Sequence, residues 1–165
     1  MKIIKCSNCE GKAQVVRADY DFKDSGLPVV LEGIELVKCR TCGNADPIIP
    51  KLSKVIRMIA LAVIRKPYRL TGAEVRFLRK FLHMNGVDFA ALLKVDKTTL
   101  SKWENDVIEI GEQTDRLIRT ITIGLGEGLQ GELKDTIGLF TQISEEIRPA
   151  KIRLDTKKMS YQYAA

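Results

Sequence analysis

Cysteine is absent from most of this chain: all four residues lie within the first 42 of 165, and none follows Cys42. There is one histidine, one tryptophan and 6% aromatic residues, and no apolar run approaches the ~20 residues that a membrane span needs. His83 is the only imidazole, and no Ser/His/Asp set, nucleotide-binding loop or paired carboxylates stand out, so catalysis is not expected. His83 falls near a helix end, where the dipole favours a surface or capping cation over a base. Lys2, Lys5 and Cys6 leave no room for the apolar core of a secretory signal, which places the chain in the cytoplasm. In that reducing compartment, paired CxxC motifs hold metals more often than disulfides. Acidic residues are also scarce in one region. From Lys51 through Leu82 Glu74 stands alone against nine Lys and Arg. The whole chain carries +6 with a pI near 9.2, a balance that suits an anionic partner but also fits solvated helix faces.

What is present begins with Cys6-Ser-Asn-Cys9 and Cys39-Arg-Thr-Cys42, two pairs at the spacing of metal knuckles, followed by Gly11 and Gly43 for the tight backbone turn. Lys12 to Phe22 and Pro28 to Lys38 are rich in β-formers and separated by Lys23-Asp24-Ser25-Gly26, which predicts a hairpin whose open end joins the knuckles. A unit of residues 1–47 is too small to fold on burial alone, and a zinc ion held by Cys6, Cys9, Cys39 and Cys42 would supply the difference. Four thiolates leave no open position for a water, so this zinc is structural. Two reduced dithiols, a CxxC redox pair, or iron in the same all-sulfur cage, are the alternatives.

Pro47-Ile-Ile-Pro50 reads as a stiff connector between two units. Lys51 to Lys66 then has apolar residues at Leu52, Val55, Ile56, Ile59, Ala60, Val63 and Ile64, a bridging helix with Lys51, Lys54, Arg57, Arg65 and Lys66 outside. Thr71-Gly-Ala-Glu74 is a capping box opening the next helix, with Val75, Leu78 and Leu82 inward, and Gly86 is expected to end it. Phe89, Ala90, Leu92 and Leu93 line a short second helix, and Asp96 caps a third in which Leu100 and Trp103 face the core. Asn105-Asp106 can close that helix in the left-handed conformation. Gln113 to Ile123 forms a further helix, Gly124, Gly126 and Gly128 break it, and a last helix runs over about 129–147 with Leu133, Ile137, Phe140 and Ile143 on one side. The tail from Lys151 shows no clear period.

Two helices and a tight turn leading into a short third helix make up the helix-turn-helix arrangement, whose third helix enters the DNA major groove. The fold class expected is therefore α+β: a small zinc-bound β-hairpin module followed by an all-α helix-turn-helix domain. Its parts are the four-cysteine module over 1–47, a linker and bridging helix over 48–68, the helix-turn-helix over 69–123, and a C-terminal helix and tail over 124–165 as a candidate dimerisation element. Arg69-Leu-Thr-Gly-Ala-Glu74, Phe77-Leu-Arg-Lys80 and Val95 to Asn105 resemble the Xre/Cro-type motif. Preceded by the CxxC/CxxC module, they resemble the MqsA antitoxin family, a YgiT-type zinc finger joined to a helix-turn-helix, over about residues 6–123.

That resemblance implies a homodimeric repressor on a palindromic double-stranded operator, with a toxin protein gripped by the N-terminal module where the chain is a true antitoxin. It carries base reading to Thr98 and Lys102. Chemistry agrees, since a lysine in the major groove donates to guanine O6 or N7, Ser101 can make a short polar contact, and Thr99 can meet a thymine methyl or a phosphate. Lys97, Lys94, Arg69, Arg76 and Lys80 are candidate phosphate contacts. Glu104 is expected to cap or to pair with a nearby arginine rather than to meet a phosphate. The family's turn holds Gly where this chain has Lys94, which requires either a left-handed lysine or a different turn. The alternative functional class is a protein-interaction adaptor built on the zinc module, without specific DNA binding.

Overall fold

The computed structural model describes residues 3–164. The hairpin forms as the patterning requires: β2 (Lys12–Asp21) and β3 (Val29–Cys39) pair antiparallel, joined through a 3-10 turn at Lys23–Ser25 and Gly26 at φ 70. β1 (Ile3–Lys5) pairs with β2 on its far side. Inward residues of β3 change phase midway, from Val29 and Leu31 to Ile34 and Leu36. The change is made possible by a bulge, in which Glu32 and Gly33 oppose Asp19 and Gly33 takes φ 55. Both halves of the strand thereby keep their apolar side chains on one face.

The other edge of β3 is shared end to end. β4 (Ala45–Ile48) pairs antiparallel with its second half, and β7 (Ile152–Asp155) pairs parallel with Val29–Glu32. β8 (Ser160–Tyr163) closes the order β1-β2-β3-β7-β8. Two expectations are corrected here. The Pro47–Pro50 connector begins inside a strand, which tolerates Pro47 because β4 pairs on one side only. The aperiodic tail is a β-hairpin, its Ile152 and Leu154 buried under the helices. All the helices lie between β3 and β7, forming the long crossover that a parallel pair needs.

α1 (Leu52–Arg65) lays Val55, Ile59, Ala60, Val63 and Ile64 into one continuous core with the inner face of the sheet. Leu52, read as part of that stripe, is exposed at 49%. α2 (Gly72–Phe81) opens with the capping box, complete in both directions. It stops earlier than expected, at His83 with φ 55, while Gly86 starts α3 (Gly86–Leu92) under an Asn85 cap at 2.9 Å. α4 (Lys97–Glu104) follows, then α5 (Glu112–Leu125). The predicted helix over 129–147 is instead α6 (Leu133–Ile137) between two 3-10 turns, then β6 (Ser144–Ile147) beside β5 (Tyr68–Arg69).

Buried charge sits at the centre of these helices. Arg119 donates to Asp115 at 2.7 Å and to the carbonyls of Ile64, Lys66 and Tyr68, satisfying the free end of α1. Asp115 accepts from Leu70 N–H at 2.7 Å. Lys66, expected outside, is buried, and donates to Glu74 and to the Arg148 carbonyl. Glu74 also accepts from Ala150 N–H at 2.9 Å, which ties the capping box to the segment entering β7. Burial pushes the Lys66 ammonium below the usual lysine range, against the pull of Glu74.

Candidate metal centre and helical surface

The two knuckles meet at the end of the sheet remote from the core. β1 leads into Cys6 and Cys9, and the turn between β3 and β4 carries Cys39 and Cys42. Their sulfurs stand 3.7 Å apart for Cys6 and Cys42 and 3.6 Å for Cys9 and Cys39, and all four lie within 4.8 Å of one another. A tetrahedral site with metal–sulfur bonds of about 2.3 Å has edges of about 3.8 Å, so one metal ion can be held by Cys6, Cys9, Cys39 and Cys42. Amide hydrogens turn toward the sulfurs: Asn8 N–H to Cys6 at 3.4 Å and Thr41 N–H to Cys39 at 3.3 Å. Backbone N–H groups, that of Cys42 foremost, bring the Cys39 thiol down to about 6, and the Asn44 N–H lowers Cys42. The Gly11 N–H favours the Cys9 thiolate too, but the sulfurs of Cys42 and Cys39 outweigh it and push Cys9 up to about 12. Four such thiolates coexist only around a cation.

The glycines divide their work differently from the expectation. Gly43 takes φ 75, as a knuckle requires, but after Cys9 the left-handed residue is Glu10 at φ 57. Gly11 is needed for space, since a Cβ there would come within 2.7 Å of the Thr41 hydroxyl. Around the cluster, Asp46 accepts from Ser7 at 2.5 Å and from Asn44 at 2.9 Å, cross-linking the two knuckles. Neither partner was apparent from the sequence, because nothing but the folded turn brings Ser7 and Asp46 together. Cys6 and Cys39 are buried, whereas Cys9 and Cys42 face solvent.

Among the helices, α4 packs Leu100 and Trp103 inward, with Phe89 and Ala90 of α3 in the same core. Thr98, Ser101 and Lys102 are exposed on its outer side, with Lys97 at its start, and Thr99 is half-buried. Asp96 stands at the cap position without a side-chain hydrogen bond. Lys94 takes the left-handed conformation, φ 56, and borders a shallow depression with Ala91, Val95, Asp96 and Thr99. Asp106, also left-handed at φ 54, ends the helix and accepts from Gly72 N–H at 2.7 Å. Gly72 has to be glycine here, because a Cβ would meet the Trp103 carbonyl at 2.2 Å.

The remaining sequence-selected cations are dispersed. Glu104 is held by Arg79 at 2.6 Å and Arg76 at 3.4 Å, and Arg76 also donates to the Glu104 carbonyl and to Asn105. Arg76 therefore braces the end of α4. Arg69 donates to the Ile110 carbonyl before α5. Lys80 is exposed in a cleft between α1 and α2, beside Arg57 and His83. Among the described residues no helix is long and apolar enough to cross a membrane. Comparison with protein-family models, with curated proteins and with solved structures yields no match to this chain.

Proposed function

We propose that the protein is a sequence-specific DNA-binding regulator of transcription, acting as a repressor, in which α2, α3 and α4 work as a helix-turn-helix and the four cysteines hold one structural zinc. The observation that carries this reading is the two-sidedness of α4: Leu100 and Trp103 lock it down while Thr98, Ser101 and Lys102 stand outward, flanked by Lys94 and Lys97. Lys94, Lys97 and Lys102 have no ion pair or hydrogen bond through their side chains among the described residues, which leaves their charges available for phosphates and base edges. Arg76 and Arg79 support the reading indirectly, since their grip on Glu104 neutralises the one acidic residue of α4 and fixes the helix in place.

On this reading Lys102 reads a guanine, Thr98, Ser101 and Thr99 make shorter contacts, and Lys94 and Lys97 anchor phosphates. Arg69 and Arg76 act by positioning, and Lys80 touches DNA only where the duplex extends along α2. A homodimer on a palindromic operator and an antitoxin role, with a toxin held by the cysteine module, belong to the same proposal, as does action in the cytoplasm without catalysis. The test is fluorescence anisotropy with the DNA upstream of the protein's own gene. Lys102→Ala should cost about 1 to 3 kcal/mol on the specific site and blur its sequence preference. Affinity should also fall steeply with salt. Equal affinity for all duplexes, unchanged by Lys102→Ala, would leave the adaptor reading in its place.

A further inference from the structure

A cleft of about 680 Å³ opens between the first turns of α1, the outer face of α2, the Asp24–Gly26 turn and the end of α5. That volume falls within the range of about 300 to 1,000 Å³ typical of small-molecule sites. Part of its wall is apolar: Ile56, Phe77 and Phe81 line it, and Leu52 and Leu125 stand in it exposed at 49% and 59% although each belongs to a helix with a buried face. Two exposed hydrophobic side chains lining one cleft offer a surface that an apolar group can cover.

The charges are layered. Arg57 is half-buried in the wall and has neither a hydrogen bond nor an ion pair among the described residues. Its guanidinium lies against Gly128, whose φ of 73 and lack of a Cβ leave it room, since a Cβ there would fall 2.4 Å from the Arg57 Cζ. Arg76, the other half-buried cation, is already shared with Glu104 and Asn105. Lys80 is unpaired and exposed. The two carboxylates of the cleft, Asp24 and Glu127, are both exposed, where water and salt screen them. The less-solvated charge is thus positive and unpartnered.

We propose that this cleft is a binding site for an amphipathic organic anion, an aromatic or aliphatic body bearing one carboxylate or sulfonate, with the anionic group on Arg57 and Lys80 and the body against Leu52, Ile56, Phe77 and Leu125. The site stands independently of the DNA reading. The experiment titrates the full chain with anilinonaphthalene sulfonate, whose emission rises in apolar surroundings, and then adds decanoate as competitor. Expected is a saturable rise corresponding to one probe per chain, reversed by decanoate. Leu52→Glu, at an exposed position, and Arg57→Glu, half-buried but held by no hydrogen bond or ion pair among the described residues, should each weaken it by about tenfold or more without lowering the melting temperature. Val107→Glu, at an apolar position exposed at 66% outside the cleft, should leave it unchanged. No saturable binding, binding insensitive to both cleft variants, or equal loss with Val107→Glu would overturn the proposal.

Discussion

Two clusters of ionisable groups hold this protein together by opposite electrostatics. At the tip of the sheet four sulfurs of one sign converge, two of them facing solvent, so the cluster is stable as thiolates only with a cation at its centre. In the middle of the helices Lys66, Glu74, Asp115 and Arg119 are all buried, form two opposite pairs that sum to zero, and each also bonds to backbone groups. The first cluster joins strands that already pair, across a small satellite core of Cys6, Ala13 and Cys39. The second joins α1, α2, α5 and the entry to β7, elements with no backbone ladder between them. An external ion suits a tip that water can reach, whereas an interior with no solvent has to be self-compensating.

On the zinc reading, removing the metal should have the largest effect, and it should be local. Structural zinc sites carry apparent binding free energies of about 10 to 16 kcal/mol, so Cys39→Ser or a strong chelator should unfold the knuckles. Hydrogen exchange should then lose protection over residues 6–12 and 39–46 while Val29, Leu31 and α1, which belong to the main core, keep theirs. Global unfolding under chelation would erase the distinction between tip and core. Metal analysis of the purified chain identifies the ion, since iron on four thiolates absorbs in the visible and zinc does not.

The central node should respond next. Arg119→Ala leaves the buried Asp115 carboxylate without its cation and removes the donor to three carbonyls, and breaking a buried pair from one side costs about 3 to 5 kcal/mol. Urea unfolding measures it, and the double variant Asp115→Leu with Arg119→Leu should recover part of the loss. A single variant as stable as the parent would mean that the node contributes little beyond packing.

A third and smaller effect concerns the tail, whose Arg153 donates to Asp19 at 2.6 Å and Glu32 at 2.6 Å across the β3 bulge. The Gly33 N–H and then Arg153 hold the Asp19 carboxyl below its ordinary value of 3.8. A depressed carboxyl stabilises the fold where it is ionised, in full above about pH 5, and that contribution is lost as acid carries it through its lowered value. Arg153→Ala should therefore lower the melting temperature slightly at neutral pH and flatten its decline in acid. The exposure of these side chains keeps the effect small. An acid limb identical to the parent's would mean that the clamp does not feel pH.

The two clusters also differ in how far they could be read in advance. The cysteines were legible because each pair is local: a CxxC spacing places two ligands on one knuckle whatever surrounds it. The hairpin, α1, the capping box at Thr71 and the inward Leu100 and Trp103 were legible for the same reason, each being written in a window of a few residues. Lys66 and Arg119 gave no such signal. By composition both are solvated helix residues, and their burial follows from backbone carbonyls more than 50 positions away, those of Ile64, Lys66 and Tyr68 for Arg119 and that of Arg148 for Lys66. The tail was missed likewise, since the strand of Ile152 and Leu154 joins the sheet by pairing with Val29 and Leu31 more than 120 positions away.

Sequence alone determined the four-sulfur ligand set, the inward and outward sides of α4 and the apolar stripe of most of α1, because spacing along a strand, knuckle or helix sets direction without help from distant partners. Tertiary structure decided that the tail completes the N-terminal sheet, that Arg76 and Arg69 brace helices and that Lys66 is inside. Each of these depends on which unpaired backbone group or opposite charge the fold brings within hydrogen-bonding distance.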